Sequence, residues 1–225
     1  MAVPTVSAVT IETSAAADAP SPTRLRAYRV CLDPTPAQRT VMSQSAGAQR
    51  WAYNWALARK VEAHRALIEA RRRLAVERGL DADDRDVLRG LTREAAQMVP
   101  RIPSAIDNLA AWRQACRDDA ELTPWRGNVS SYCFSSGMRA ADAAFKNWLD
   151  SLAGRRAGRP SGYPRFKSKH RARASFTIYH DVKKPTIRVQ DSRHLTIPKL
   201  GVVRLHSNLR RLIRLQLHRD VTVRS

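Results

Sequence analysis

The chain has 225 residues, enough for one sizeable core or two small ones, and its 43% hydrophobic content with five Trp excludes wholesale disorder. Forty Lys and Arg against 20 Asp and Glu give a formal charge of +20 and a pI ≈ 11.2, a self-repulsion that only a polyanionic partner relieves. Residues 155–225 hold 19 of those cations against Asp181, Asp191 and Asp220, a net of +16, so the partner docks mainly on the last third.

Nucleic acid fits that asymmetry, because phosphate contacts release counterions and favour clustered Lys and Arg. An anionic membrane would need a basic amphipathic helix with bulky apolar residues, which the last third lacks. No stretch approaches the roughly 18 apolar residues of a membrane span, so no membrane partner is expected. Cys31, Cys116 and Cys133 are widely spaced and odd in number, which reads as buried small hydrophobes rather than a disulfide or metal set.

In chain order, MAVPTVSAVTIETSAAADAPSPT has no basic head and no sustained apolar run, and residues 1–23 are expected to be a disordered leader. RLRAYRVCLD predicts a first strand within residues 24–34, with Tyr28, Val30 and Leu32 on one face and Pro34 as its stop. A helix start follows: Thr35 as N-cap, Pro36 in the first turn and Gln38 completing a capping box. Val41, Ser45, Ala48, Ala52 and Trp55 form one buried stripe, and Leu57, Val61, His64, Ile68 and Ala75 continue in a second stretch that ends at Gly79. A break between the two is expected, and His64 reads as a packed residue because no second ligand lies three or four positions away.

DADDRDVLRGLTREAAQMVP predicts one helix capped near Asp81, with Leu88, Leu91, Ala95 and Met98 on one face, before Pro100 and Pro103. Ser104 begins a short helix to about Cys116, and TPWRGN is a turn. Phe134, Met138, Ala141, Phe145, Trp148 and Leu152 make an unbroken stripe from Ser131, with Asp142 and Lys146 paired one turn apart and Gly154 as C-cap.

After Gly154 the texture changes to GYPRFKSKHRARASF, with Arg165, Lys167, Lys169, Arg171 and Arg173 at every second position. An extended backbone would send all five from one strand edge. Period-two runs then place strands around Ile187 and Val189, Leu195 and Ile197, and Ile213, Leu215 and Leu217. The layout is α+β: a small discontinuous barrel, formed by residues 24–34 and 156–225, with a helical lobe at residues 35–155 inserted in it. The first strand is expected to join the C-terminal sheet.

YRVCLDPTPAQ, GAQRWAYNWALARK, AFKNWL, GYPRFKSK and LTIPKLGVVRL, in that order, resemble the N-terminal half of TnpB proteins, long called OrfB transposases, which are RNA-guided DNA nucleases of bacterial insertion sequences. The likeness runs from about Tyr28 to the C-terminus, apart from roughly residues 70–102. It implies an oligonucleotide-binding-like wedge barrel interrupted by a recognition lobe with a helix-turn-helix-like start. It further implies a guide RNA from the transposon end and double-stranded target DNA as partners, at the bacterial nucleoid in the cytoplasm.

On that resemblance Arg50, Tyr53 and Asn54 would lie in the lobe that reads flanking DNA, and GYPRFKSK along a nucleic-acid backbone. The family's nuclease opens with G-[IV]-D-x-G and carries C-x-x-C zinc pairs, and this sequence has neither. No catalysis and no cofactor are therefore expected of these residues, Mg²⁺ and Zn²⁺ belonging to the nuclease part, the chain reading either as truncated or as one half of a split protein whose nuclease is a separate chain. Asp181 and Asp191 stand beside turn signals and read as turn residues.

The expected nucleic-acid contacts are Arg50, Tyr53, Asn54, Tyr163, Arg165, Phe166, Lys167, Lys169, Arg171, Arg173 and Lys199. Tyr163 and Phe166 are stacking candidates, whereas Trp51, Trp55 and Trp148 read as core. For Tyr53 and Asn54, packing and base contact both remain open, since Asn can bind adenine but the spacing does not demand it. For the basic stretch, the competing reading is a solvated linker. For the whole chain, the rivals are a stand-alone helix-turn-helix DNA-binding regulator and a ribosomal-type RNA-binding protein.

Overall fold

Residues 9–13, 26–28, 30–179, 186–210, 213 and 221–223 are described by the structure, a computed structural model. The chain divides into two units, the first made of Met1–Trp51, Thr123–Ser136 and Lys167–Ser225 and the second of Ala52–Leu122 and Gly137–Phe166. Mixed helices and antiparallel sheets make the protein α+β, as its patterning predicts.

Among the described residues, the first unit contains strands β1 (Val9–Thr13), β2 (Arg26–Tyr28), β3 (Leu32–Asp33), β4 (Arg188–Asp191), β5 (His194–Ile197), β6 (Gly201–Leu205) and β7 (Val221–Val223). They form a three-stranded sheet in the order β2–β1–β7 and a four-stranded sheet in the order β3–β6–β5–β4, all antiparallel. The first differs from the sequence reading, because Val9–Thr13 of the expected leader is extended and pairs Val9 with Tyr28 and Ile11 with Val223. The predicted first strand is split between the two sheets. Its second piece joins the C-terminal strands as expected, with Leu32 opposite Leu205 and Asp33 opposite Arg204.

The pleat of the four-stranded sheet sorts its side chains. Leu32, Leu195, Ile197, Val203 and Leu205 are buried with Met42, Ile178, Leu200 and Leu209, while Arg188, Val202 and Arg204 are exposed. Burying side chains of this size contributes roughly 1.5–3 kcal/mol each before entropy, enough to fix the register. The strand predicted at Ile213 is not formed. Ile213 donates its N–H to the Leu209 carbonyl (2.9 Å) in a helical turn, whereas Leu215 and Leu217 lie outside the described residues.

The long helix α1 (Pro36–Glu77) starts in the first unit with the predicted capping box. The Gln38 N–H donates to Thr35 Oγ1 (3.3 Å), the Thr35 N–H to Gln38 Oε1 (3.0 Å). Gln38 Nε2 also donates to the carbonyls of Leu200 (3.1 Å) and Val202 (2.7 Å), locking the helix start onto β6. The expected break is absent: no Pro or Gly pair interrupts the helix between Pro36 and Glu77. Ala48, Ala52 and Ala56, small side chains that allow close approach, are buried along it together with Leu57. The first unit's aromatic cluster stacks Trp125 on Phe134 (5.7 Å between centroids), with Trp51 edge-on to both. Trp125 sits in a short 3₁₀ turn, Pro124–Asn128, where TPWRGN predicts one.

In the second unit the rest of α1 is followed by α2 (Arg85–Gly90), α3 (Thr92–Met98), α4 (Ala105–Asp118) and most of α5 (Ser131–Leu152). The single helix expected over 81–98 is two. Asp84, not Asp81, caps α2 by accepting from the Asp86 N–H (2.8 Å), and Gly90 ends it. Ala70, Leu74, Ala75, Leu91 and Ala95 form the core of this part. Ser104 caps α4 in a complete capping box with Asp107, as predicted in position. Gly154 follows α5 with φ +66°, the left-handed C-cap its sequence position predicts, and the Arg155 N–H closes the end on the Asp150 carbonyl (2.8 Å).

On α5 the predicted stripe holds for Phe134, Met138, Ala141 and Phe145 but not for Leu152, which is exposed. The pairing of Asp142 with Lys146 is also corrected. Asp142 accepts instead from Lys60 Nζ (2.6 Å), and Lys146 pairs with Asp150 one turn further on. Lys60 is 3% exposed and outcompetes the solvated Lys146 because a buried ammonium has no water to fall back on.

Candidate nucleic-acid interface

The basic stretch is not one strand edge. Residues 161–168 run irregularly, and the Ser168 hydroxyl accepts the Arg171 N–H (3.1 Å) while the Ser168 carbonyl accepts that of Ala172 (3.1 Å). This side-chain-capped turn at residues 169–172 interrupts the period-two pattern of an extended strand. The turn wins over the extended form because it satisfies backbone groups that a lone strand would leave open. Beyond it, Thr177 is clamped on both sides, its N–H donating to Gln49 Oε1 (2.6 Å) and its carbonyl accepting from Ser136 Oγ (3.1 Å).

All five cations, Arg165, Lys167, Lys169, Arg171 and Arg173, are exposed. Among the described residues no carboxylate pairs with Arg165, Lys169, Arg171 or Arg173. Other arginines are paired: Arg78 meets Glu94 (2.6 Å), Arg101 meets Asp107 (2.8 Å) and Arg155 meets Asp150 (3.0 Å). Neighbouring unpaired cations are the ones that an external anion stabilises most.

The outward face of the four-stranded sheet adds Arg188 and Arg204 to the expected contacts. Register places Arg188, Thr196 and Val202 in one cross-strand row and His194, Arg204 and Asp33 in the next. Arg193 and Lys199 project from the connecting turns. The signal was present in the alternation of TIRVQ and VVRLH. Asp191 occupies the β4–β5 turn that its SRH neighbours predict, accepting the Arg193 N–H (2.7 Å) and facing His194 Nδ1 (2.8 Å). The backbone bond from Arg193, then His194, holds its carboxyl below the usual range.

The remaining candidates are placed unequally. Lys199 has φ +66° and donates to the Gly127 carbonyl (2.8 Å), so one of its three donors is engaged. Arg50 and Asn54 are half-buried on α1. Tyr53 is 5% exposed, and burial raises its hydroxyl pKa, which favours packing over base contact. In the second unit Tyr163 and Phe166 keep exposed rings, and Tyr163 stands edge-on to Trp148 (4.7 Å). His64 packs against Trp148 (5.1 Å) and Phe145 (5.8 Å), and burial, with Arg71 nearby, lowers its pKa. It is therefore a packed ring, as predicted.

Among the described residues no three His, Cys, Asp or Glu come together as metal ligands, and no helix is long and apolar enough to cross a membrane.

The helix-turn-helix domain of the OrfB type matches residues 24–67, which in this chain form β2, β3 and the front of α1. Two Mycobacterium tuberculosis proteins, from strains CDC 1551 and H37Rv, bear the provisional name RNA-guided DNA endonuclease. Each is 31% identical over 194 residues, covering 85% of this chain and 36% of the relative. The chain thus spans about a third of the length of the curated relatives it matches.

Proposed function

Because the chain belongs to the TnpB/OrfB family, we propose that it is the nucleic-acid-holding part of an RNA-guided DNA-cutting system, gripping a transposon-end guide RNA and double-stranded target DNA by their backbones. The exposed cations of 165–173 carry this reading, because they lie in the segment with net charge +16 and, among the described residues, no carboxylate pairs with Arg165, Lys169, Arg171 or Arg173. The first unit acts as a discontinuous wedge-like barrel and the helices as a recognition lobe inserted in it. Arg165, Lys167, Lys169, Arg171, Arg173 and the sheet cations Arg188 and Arg204 supply phosphate contacts, which set register and affinity without reading sequence.

In this reading the residues of this chain hold and do not cut. Two-metal cleavage needs converging carboxylates, and the acidic side chains of the basic third are Asp181, Asp191 and Asp220 alone. Mg²⁺ and Zn²⁺ then belong with nuclease residues outside these 225 residues.

Incubating the purified chain with Mg²⁺, transposon-end RNA and matching duplex DNA tests this directly. The expected result is a retarded complex with intact DNA. Guide-directed, metal-dependent cutting by this chain alone would refute the holding role.

A further inference from the structure

The geometry points to an unpaired nucleobase as the occupant of an aromatic platform in the second unit, built on Tyr163 and Phe166, an inference that rests on the nucleic-acid role proposed above. Phe166 is 57% exposed and Tyr163 42%, although rings of this size normally bury most of their area. Phe166 has no ring contact among the described residues. Tyr163 is backed by Trp148 at 4.7 Å, with Phe145 and His64 each at 6.2 Å, so one side of its ring is supported.

The segment carrying the rings is held before any ligand arrives. The Ser161 N–H donates to Ser151 Oγ (2.8 Å), and that hydroxyl donates in turn to the Asn147 carbonyl (2.8 Å) on α5. Pro164, between the two rings in sequence, is buried and fixes its own φ. A pre-organised aromatic surface loses little conformational entropy on binding.

Charge selects the occupant. Arg165 separates the rings in sequence and is exposed, and Arg65 lies close enough to act electrostatically on the Tyr163 hydroxyl. Cations beside exposed rings suit a nucleotide, whose phosphate and π-face are both satisfied. A duplex hides its π-faces in its own stack, so the platform takes single-stranded or splayed nucleotides.

The test uses the full chain and fluorescence anisotropy at fixed salt. Three probes are compared: a labelled oligouridine, an abasic strand of the same length, and a duplex of that length. The parent is expected to bind the base-bearing strand about ten-fold more tightly than the abasic one. Phe166→Ala removes an exposed ring and should leave the fold intact by circular dichroism while erasing most of that difference, and Tyr163→Leu should do the same. A difference that persists in both variants overturns the platform. Equal parental binding of base-bearing and abasic strands, with duplex binding retained, overturns the platform and leaves the nucleic-acid role standing. No binding to any of the three probes overturns that role and the platform together.

Discussion

The variant Arg165→Ala/Lys167→Ala/Lys169→Ala will bind all nucleic acids more weakly, whatever their sequence, and its affinity will respond less to salt. Each phosphate contact contributes about 0.9 to the slope of log affinity against log salt on duplex DNA and about 0.7 on single strands. Losing three contacts therefore flattens the slope by roughly two to three units. The three side chains are exposed, so their removal leaves the cores of both units intact. Weaker binding should come with an unchanged melting temperature. An unchanged salt slope would mean that the stretch is a solvated linker, and binding would then rest on the sheet cations.

The second large effect falls on stability. Asp142→Ala leaves the Lys60 ammonium, 3% exposed, with only the Pro103 carbonyl and the Phe145 ring (5.7 Å) as partners among the described residues. Removing one member of a buried pair costs about 3–5 kcal/mol. Asp142 itself is 42% exposed, which places this pair near 3 kcal/mol and the melting temperature lower by roughly 6–12 °C. Because the orphaned charge causes the loss, adding Lys60→Met to Asp142→Ala should recover most of it. A double variant no more stable than the single would show that packing around Lys60, not its charge, is what Asp142 supports.

Local chemistry was legible wherever one residue decides one bond. Thr35 with Gln38, Ser104 with Asp107, and Gly154 are caps whose partners lie within a few residues. The period-two alternation of Leu195 with Ile197 reports burial directly, and the sheet forms there. Periodicity is silent about partners far apart in sequence. Nothing in ALARKVEAH marks Lys60 as buried, because its carboxylate comes from α5, 82 residues away. The same limit hid the switch of Asp142 from Lys146 to Lys60.

The candidate site divides along the same line. Exposure of the five cations follows from composition, but their arrangement does not. Alternation alone suggested a single edge, and the Ser168 turn, a short-range hydrogen-bond choice, overrode it. For Tyr53 the sequence left packing and base contact open, and its burial beside Ala52 and Ala56 on α1 favours packing.

Whether this protein holds a guide RNA is tested most directly by the nucleic acid that travels with it. The chain should purify at low salt with a high ratio of absorbance at 260 nm to 280 nm, and ribonuclease should bring that ratio down to the protein value while deoxyribonuclease leaves it high. A ratio that is already at the protein value, with sequence-specific duplex binding in the absence of RNA, would contradict the account and identify a DNA-binding regulator.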